Sequence, residues 1–218
     1  GRGVSPEEHQ VRPLRSLTSK SPPIISPAME IVHYPHPSLR WKSRPIESVS
    51  EALRRRVREM FELMYESKGI GLAANQVALP FRFFIINISG DPELADEEHV
   101  FLNPELSNQS GLVEGEEGCL SFPELYGPVR RADQIVVEAF DLKGFSFEMP
   151  LTELSSRVVQ HETDHLDGVL FPDRMTEAAR RELESRLSDF EAYFRRQQES
   201  GEIPSNEEIQ KRLSELEP

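Results

Sequence analysis

Two histidines four residues apart, with a glutamate directly after the first, are the side chains in this sequence best suited to chemistry. They lie in the stretch VVQHETDHLDG at 158–168. On a helix, residues four apart lie one turn apart on nearly the same face, so His161 and His165 can both face one metal ion. Glu162 is rotated away by about 100°, which suits a general base beside the metal better than a ligand. The alternative interpretation is a polar, solvated helix face.

A third ligand is needed, because a catalytic metal site normally has three protein ligands and one open position. The single cysteine, Cys119, is a candidate, and it lies in EGEEGCLSFPE, ahead of a predicted β-hairpin. A bound metal would lower the pKa of its thiol. A lone cysteine is otherwise most often a small buried hydrophobe. It also excludes an intrachain disulfide, which fits a reducing compartment.

Two elements are predicted ahead of these segments. Apolar residues recur at helical spacing within residues 48–69, which predicts a helix of about 16 to 20 residues packed on a core. Ser48 and Glu51 have capping-box spacing at its start, and Gly69 is placed to end it. The run FRFFIINI at 81–88 then predicts a β-strand.

The elements that follow predict where the histidine motif lies. Residues 134–150 have a hairpin pattern with a turn at 141–144. Helical spacing returns over 150–171 and ends at Gly168, which places the motif on a helix. A further helix is predicted over 176–198, where four apolar side chains share one face.

The length and composition of the chain limit the number of domains. A chain of 218 residues suits one domain with appendages. We expect a disordered or flexible extension at 1–26, a main domain at 27–200 and a charged tail or short helix at 201–218. The extension has no apolar h-region and so is not a secretory signal, but its mildly basic character leaves the remnant of an organellar transit peptide open.

The charge and hydropathy of the chain exclude two classes of partner. The formal net charge is -13, without a basic stripe, so a nucleic-acid-binding surface is not expected. No apolar run approaches the roughly 20 residues needed to span a bilayer, so we expect no membrane partner.

Three segments together resemble the peptide deformylase family. They are GIGLAANQV at 69–77, EGCLS at 117–121 and QHETDHLDG at 160–168, in the order and at about the spacing of that family. The likeness covers roughly residues 29–172, and three motifs without a gap are far more specific than the histidine motif alone. It implies an α+β fold in which small antiparallel β-sheets pack around a central metal-binding helix, with an additional C-terminal helix.

The same resemblance implies an activity and a ligand set. The chain would be a metal-dependent hydrolase that removes the formyl group from the N-terminal formylmethionine of newly made polypeptides and releases formate. Cys119, His161 and His165 would bind one divalent metal ion per chain, and Glu162 would be the catalytic acid and base. The family usually works with Fe²⁺, while Zn²⁺ or Ni²⁺ can occupy the same site. The substrates would be nascent chains at the ribosome, in a bacterial cytoplasm or, given the extension, an organelle.

Two further residues would stabilise the oxyanion of the reaction. In the resemblance, the side-chain amide of Gln76 and the backbone N–H of Leu120 donate to the formyl oxygen as it becomes negative. Preorganised donors at a developing charge contribute several kcal/mol to catalysis. Without the resemblance, Gln76 would be an ordinary loop residue.

The substrate-binding candidates lie around the same motifs. Gly69 and Gly71 fit turn formation, and they also fit positions where a peptide backbone approaches closely and pairs like an added strand, as the resemblance implies, so both interpretations can hold together. Ile70, Tyr126 and Val158 are candidates for an apolar, adaptable methionine pocket. Tyr126 departs from family members that carry an arginine nearby, which leaves the details of substrate contact open.

Three alternatives stay open at this point. Asp164 and Arg131 form either a pair that orients a metal ligand or a plain surface ion pair. A zinc metallopeptidase would also use His-Glu-x-x-His, but no histidine follows residue 168 as a third ligand. A binding protein on a deformylase scaffold would lack activity although it keeps the chemical groups.

Overall fold

The computed structural model of the protein describes residues 15–17 and 28–217. The strands in this part of the chain are β1 Arg15–Leu17, β2 Ser48–Ser50, β3 Gly71–Ala73, β4 Phe83–Ile86, β5 His99–Ser110, β6 Val113–Cys119, β7 Phe122–Arg131, β8 Gln134–Phe140 and β9 Ser146–Thr152. The helices are α1 Glu51–Glu66, α2 Glu153–Leu166, α3 Phe171–Arg174, α4 Glu177–Ser200 and α5 Asn206–Leu216. The predicted α+β class is confirmed.

The main sheet lies between helices α1 and α2. Its strand order is β3-β4-β5-β8-β9, with every neighbouring pair antiparallel. Alternate residues of the buried strand β4 face opposite sides of the sheet: Phe83 packs with α1 and Phe84 with α2. Strand β4 is therefore apolar throughout, because both of its faces are covered. The histidine helix α2 is central, as the resemblance implied.

Strands β6 and β7 form a separate antiparallel pair. Together with β5 they occupy a region that the apolar patterns did not predict as strands. Helices α3 and α4 pack against β7, with Phe122, Phe171 and Leu187 in one buried cluster. This second layer lies against α2 and brings the end of β6 to the histidine motif.

Helix α1 begins and ends at residues other than those predicted. Its side-chain cap is Ser50, the last residue of β2, whose hydroxyl accepts from the N–H of Leu53, whereas Ser48 lies two residues earlier in the same strand. The left-handed residue after the helix is Lys68, with φ of 57°, and Gly69 contributes its N–H to the carbonyl of Met64. The predicted length is correct, since α1 has 16 residues.

Two predicted turns are present, each with a glycine in the left-handed region. Gly144 closes the β8–β9 hairpin with φ of 84°, and Asp141 accepts from two backbone N–H groups of that turn. Gly168 ends α2 with φ of 72°, and a Cβ there would lie 2.7 Å from the carbonyl oxygen of Arg40. Only glycine fits this position, since both the backbone angle and the close approach disfavour a side chain.

The C-terminal helices fold back onto the N-terminal part of the described chain. Ser205 and Glu208 form the capping box of α5, and Ile209 and Leu213 bury against Phe194 of α4. Most of the expected extension at 1–26 lies outside the described residues. Its described part is β1, which pairs in parallel with β2. No helix in the described ranges is both long and apolar enough to cross a membrane.

Candidate active site

The cysteine and the two histidines of the predicted ligand set lie together. The ligand atoms of Cys119, His161 and His165 are all within 4.8 Å of one another. Cys119 Sγ lies 3.3 Å from His165 Nε2, which lies 3.2 Å from His161 Nε2. The structure thus brings together three residues that are 46 positions apart at most along the chain.

The local fold explains how these side chains meet. Cys119 is the last residue of β6, and the residues after it, Leu120 and Ser121, form the turn to β7. His161 and His165 lie one turn apart on the buried face of α2. The side-chain amide of Asn75 donates to the backbone carbonyl of His165, which anchors the last turn of α2.

The donor set fits a divalent metal ion. Metal–nitrogen and metal–sulfur bonds of ordinary length in a tetrahedral site separate neighbouring donors by about 3.3 to 3.6 Å, close to the distances observed. His161 Nδ1 lies 2.9 Å from Glu117 Oε2, and a proton on Nδ1 leaves the Nε2 lone pair facing the other donors. Burial lowers the pKa of His165 well below its ordinary value, which keeps that imidazole neutral and able to ligate.

Glu162 lies beside the donor set without joining it. Its side chain is buried, and Oε2 has no hydrogen-bond partner among the described residues. Burial raises the pKa of Glu162 to about 7. A carboxyl group whose pKa lies near neutrality can both accept and return a proton, which is what a general acid–base must do. The geometry therefore offers a base next to a metal site.

Gln76 comes to the site from a short 3-10 turn, Ala74–Val77, directly after β3. Its Oε1 accepts from the N–H of Ala73 at 2.9 Å, which fixes the orientation of the amide. Nε2 then points at Cys119 Sγ at 3.4 Å and Ser121 Oγ at 3.1 Å. The side-chain amide of Gln76 is therefore fixed next to Cys119, where an N–H group could donate to an oxygen of a bound molecule.

Glu117 was not singled out by the sequence reasoning, although it lies in the quoted EGCLS segment. Its carboxylate accepts from Arg131 through two nitrogens at 2.7 and 2.9 Å and from Arg157 at 2.8 Å, besides its contact with His161. Burial alone would raise the pKa of Glu117, but hydrogen bonds from His161 and Arg131 hold it well below its ordinary value. Glu117 therefore stays ionised and orients His161.

The two interpretations of Asp164 and Arg131 can now be separated. Arg131 Nη1 donates to Asp164 Oδ2 at 2.6 Å, and the two side chains are only 5% and 13% exposed. Arg131 also carries the bidentate pair with Glu117. The pair belongs to a buried network that ends on His161, and the surface-pair alternative is wrong.

All five substrate-binding candidates line one cavity of about 630 Å³. Val158 is buried in its wall and Tyr126 is exposed at its rim, while the segment from Gly69 through Ile70 to Gly71 forms another side. Neither Gly69 nor Gly71 has positive φ, and an added Cβ would lie 2.6 Å from the Leu120 side chain at residue 69 and 2.5 Å from the Glu162 carboxylate at residue 71. Gln76, Cys119, Leu120, His161 and Glu162 face the same cavity. A ligand there would lie against every predicted site group except His165.

Comparisons with known proteins point to one family. The family model described as Polypeptide deformylase matches residues 28–181. A peptide deformylase of Rhodopirellula baltica is 43% identical over 189 residues, or 87% of this chain and 94% of that protein. Peptide deformylase 1B, chloroplastic/mitochondrial, of Arabidopsis thaliana is 40% identical over 185 residues, or 84% of this chain and 66% of that protein. A crystal structure of a plant peptide deformylase has a TM-score of 0.76 and 38% identity, covering 84% of this chain and 98% of that one.

Proposed function

The chain belongs to the polypeptide deformylase family, and from this premise we propose which residues hold the metal and which carry the reaction. The protein is a hydrolase that removes the formyl group from the N-terminal formylmethionine of newly made polypeptides and releases formate. Cys119, His161 and His165 bind the divalent metal ion. The observation that carries this proposal is the convergence of their three donor atoms beside the buried, partnerless carboxylate oxygen of Glu162.

The metal is one divalent ion per chain, and the proposed physiological ion is Fe²⁺. When bound, it supplies a Lewis acid that polarises the formyl carbonyl and lowers the pKa of a water molecule. A thiolate with two imidazoles also accepts Zn²⁺ and Ni²⁺. Metal analysis of protein purified without oxygen, with formate release measured for iron, nickel and zinc forms in parallel, tests the identity of the ion.

Glu162 moves the proton of the reaction. At Oε2, which has no hydrogen-bond partner among the described residues, it accepts a proton from the water that adds to the formyl carbon. The bond between that carbon and the amide nitrogen then breaks, and Glu162 returns the proton to the leaving nitrogen. The products are formate and a free amine. The raised pKa of Glu162 supports both halves of this transfer.

Gln76 and Leu120 hold the negative charge that develops on the formyl oxygen. Gln76 lines the cavity, and its Nε2 is held beside Cys119 because its Oε1 is fixed by the N–H of Ala73. The N–H of Leu120, in the turn after Cys119, is the second donor. Donors that are fixed before the charge develops contribute most to the rate.

The formylmethionine lies in the cavity, with its side chain against Ile70 and Val158. The peptide backbone follows Gly69 and Gly71, and later residues leave past Tyr126 at the rim. A cavity of about 630 Å³ suits a short peptide end better than a long internal stretch. The substrates are nascent chains at the ribosome.

The proposed domain limits are those expected from the sequence. Residues 27–200 form the catalytic domain and 201–218 a short terminal helix, and most of the extension at 1–26 lies outside the described residues. We place the enzyme in a bacterial cytoplasm, where synthesis starts with formylmethionine. The chloroplastic/mitochondrial name of the Arabidopsis relative supports an organelle as the second candidate. Localisation of the tagged protein in its source cell distinguishes the two.

The reaction class is tested with matched peptides. The enzyme should release formate from formyl-Met-Ala-Ser and should act poorly on acetyl-Met-Ala-Ser, because the extra methyl group overpacks a tight site. A hydroxamate, which chelates through two oxygens, should inhibit strongly. Cleavage of internal amides in unformylated peptides, without formate release from the formylated one, would instead indicate a metallopeptidase.

A further inference from the structure

Residues 32–34 form a short segment between the two turns that carry the proposed oxyanion donors. These turns are Ala74–Val77, which holds Gln76, and residues 120–121, which hold Leu120. The N–H of Val32 donates to the backbone carbonyl of Gln76 at 2.9 Å, and the N–H of Tyr34 donates to the carbonyl of Ser121 at 2.9 Å. Gln76 is one proposed donor, and Ser121 directly follows Leu120, the other. One segment therefore connects the backbones of both donors.

The side chain of Tyr34 extends this connection to helix α4. Its ring stacks on Phe122 with centroids 5.0 Å apart, and its hydroxyl donates to Glu191 Oε1 at 2.6 Å. Burial and the neighbouring Glu191 carboxylate raise the pKa of Tyr34 to about 12, so the hydroxyl stays protonated and remains a donor. Glu191 lies beyond residue 181, where the match to the family model ends.

Aromatic contacts also join the Leu120–Ser121 turn to helices α3 and α4. Phe122, the first residue after the Leu120–Ser121 turn, is buried and meets Phe171 of α3 and Phe190 of α4 edge-on, at 5.4 and 6.2 Å. Ring packing keeps α4 in contact with the turn but fixes its position only loosely. The hydrogen bond between Tyr34 and Glu191 adds the directional constraint, because its strength falls steeply with a change in angle.

We propose that Tyr34 and Glu191 are positioning residues for deformylation, which hold the Leu120–Ser121 turn in register with Gln76. The inference rests on the proposed function, in which Gln76 and Leu120 are the oxyanion donors. Neither Tyr34 nor Glu191 acts on the substrate directly. Because donors contribute to the rate through fixed placement, loosening the turn should lower kcat and leave KM nearly unchanged.

Steady-state kinetics of the metal-loaded, full-length enzyme on formyl-Met-Ala-Ser test the inference. Tyr34→Phe and Glu191→Ala should each lower kcat about five- to tenfold, the equivalent of one hydrogen bond. Metal content should be unchanged and KM should stay within about twofold. The double variant should lose no more than either single variant, since both remove the same bond. Glu191→Gln keeps an acceptor oxygen and should restore most of the rate.

Glu184→Ala is the matched control, because Glu184 is another exposed acid of α4. Its kcat should equal that of the wild-type enzyme. A wild-type kcat in both Tyr34→Phe and Glu191→Ala overturns the inference and leaves the deformylase function intact. Losses that add in the double variant, or an equal loss in Glu184→Ala, also overturn it. Absence of formate release from the wild-type enzyme would contradict the proposed function itself.

Discussion

The carboxylate of Glu162 occupies the space where residue 71 would carry a side chain. A Cβ on Gly71 would lie 2.5 Å from Glu162 Oε1 and 3.0 Å from its carboxyl carbon. Real Cβ atoms essentially never approach other atoms so closely, so any larger residue at 71 must displace the Glu162 carboxylate. Two of the sequence motifs thus meet in one contact, which neither motif reveals alone.

Gly71→Ala should therefore reduce turnover without removing the metal. Displacing a general base by a fraction of an ångström should lower kcat about ten- to a hundredfold, while bound metal stays at one equivalent. Formate release and metal analysis on the same preparation check this. Gly69→Ala is the comparison, because the added Cβ meets two flexible side chains, Leu120 at 2.6 Å and Met64 at 3.3 Å, and should cost less. Equal losses in both variants would contradict the assigned contact.

Glu162→Ala should separate metal binding from chemistry. Removal of a general base lowers rates about a hundred- to ten-thousandfold, and the three ligand residues are untouched. Metal content should remain that of the wild-type enzyme, measured beside formate release. If the metal is lost together with the activity, Glu162 is a ligand or a structural residue.

Replacement of a proposed ligand, unlike Glu162→Ala, should remove the metal. Cys119→Ala, His161→Ala and His165→Ala should each strip the metal, because two ligands leave an incomplete site. The check is metal retained after dialysis against a chelator, with Glu162→Ala treated in parallel. A Cys119→Ala protein that retains a full equivalent and normal activity would show that the third ligand lies elsewhere.

Glu117→Ala should destabilise the fold as well as the site. The change leaves the Arg131 guanidinium, which is 5% exposed, without its bidentate partner, and breaking a buried pair costs about 3 kcal/mol. Urea unfolding of the metal-free protein measures the loss. Glu114→Ala is the control on the same strand, since Glu114 and Arg130 are 53% and 61% exposed and such pairs contribute under about 1 kcal/mol. Similar losses of unfolding free energy in the two variants would show that the buried network stabilises the fold no more than the exposed ion pair does.

His36 should make stability depend on pH. Burial lowers its pKa from 6.5 to about 4, and its ring packs edge-on against Phe194. The unfolded chain thus binds a proton at a higher pH than the folded one. The neutral His36 ring therefore costs no stability above pH 6.5, and the free energy of unfolding falls as the pH falls from 6.5 towards 4. Urea unfolding at several pH values should show a shallower fall for His36→Asn, and parallel curves would refute the assignment.

The sequence predicts helices, strands and site residues best where the signal lies in a short stretch of neighbouring residues. Helix α2 and the β8–β9 hairpin follow from periodicity and turn residues, and the meeting of Cys119, His161 and His165 follows from the motifs. Strands β5 to β7 were missed because segments such as VEGEEGC lack alternating apolar residues, and only pairing with distant strands makes them strands.

Glu117 was missed for a related reason. It stands in an acidic run with Glu114 and Glu116, where each carboxylate looks solvated. The β6–β7 pairing and the packing of α2 decide that Glu117 alone faces inward, and no local pattern encodes these long-range contacts. Likewise, spacing favours Ser48 as the helix cap because Glu51 follows three residues later, but α1 begins at Glu51 itself, so Ser50 is the residue that caps it.

The sequence contains one tryptophan, and the fold places it against the end of the chain. Trp41 donates its indole N–H to Glu217 Oε1 at 2.8 Å and packs beside Ile209 and Leu213 of α5. Indole fluorescence responds to exposure to water, so the protein carries its own optical reporter of whether α5 is docked. Emission recorded during gradual denaturation, beside circular dichroism for the whole fold, can therefore distinguish undocking of the C-terminal helix from loss of the catalytic core.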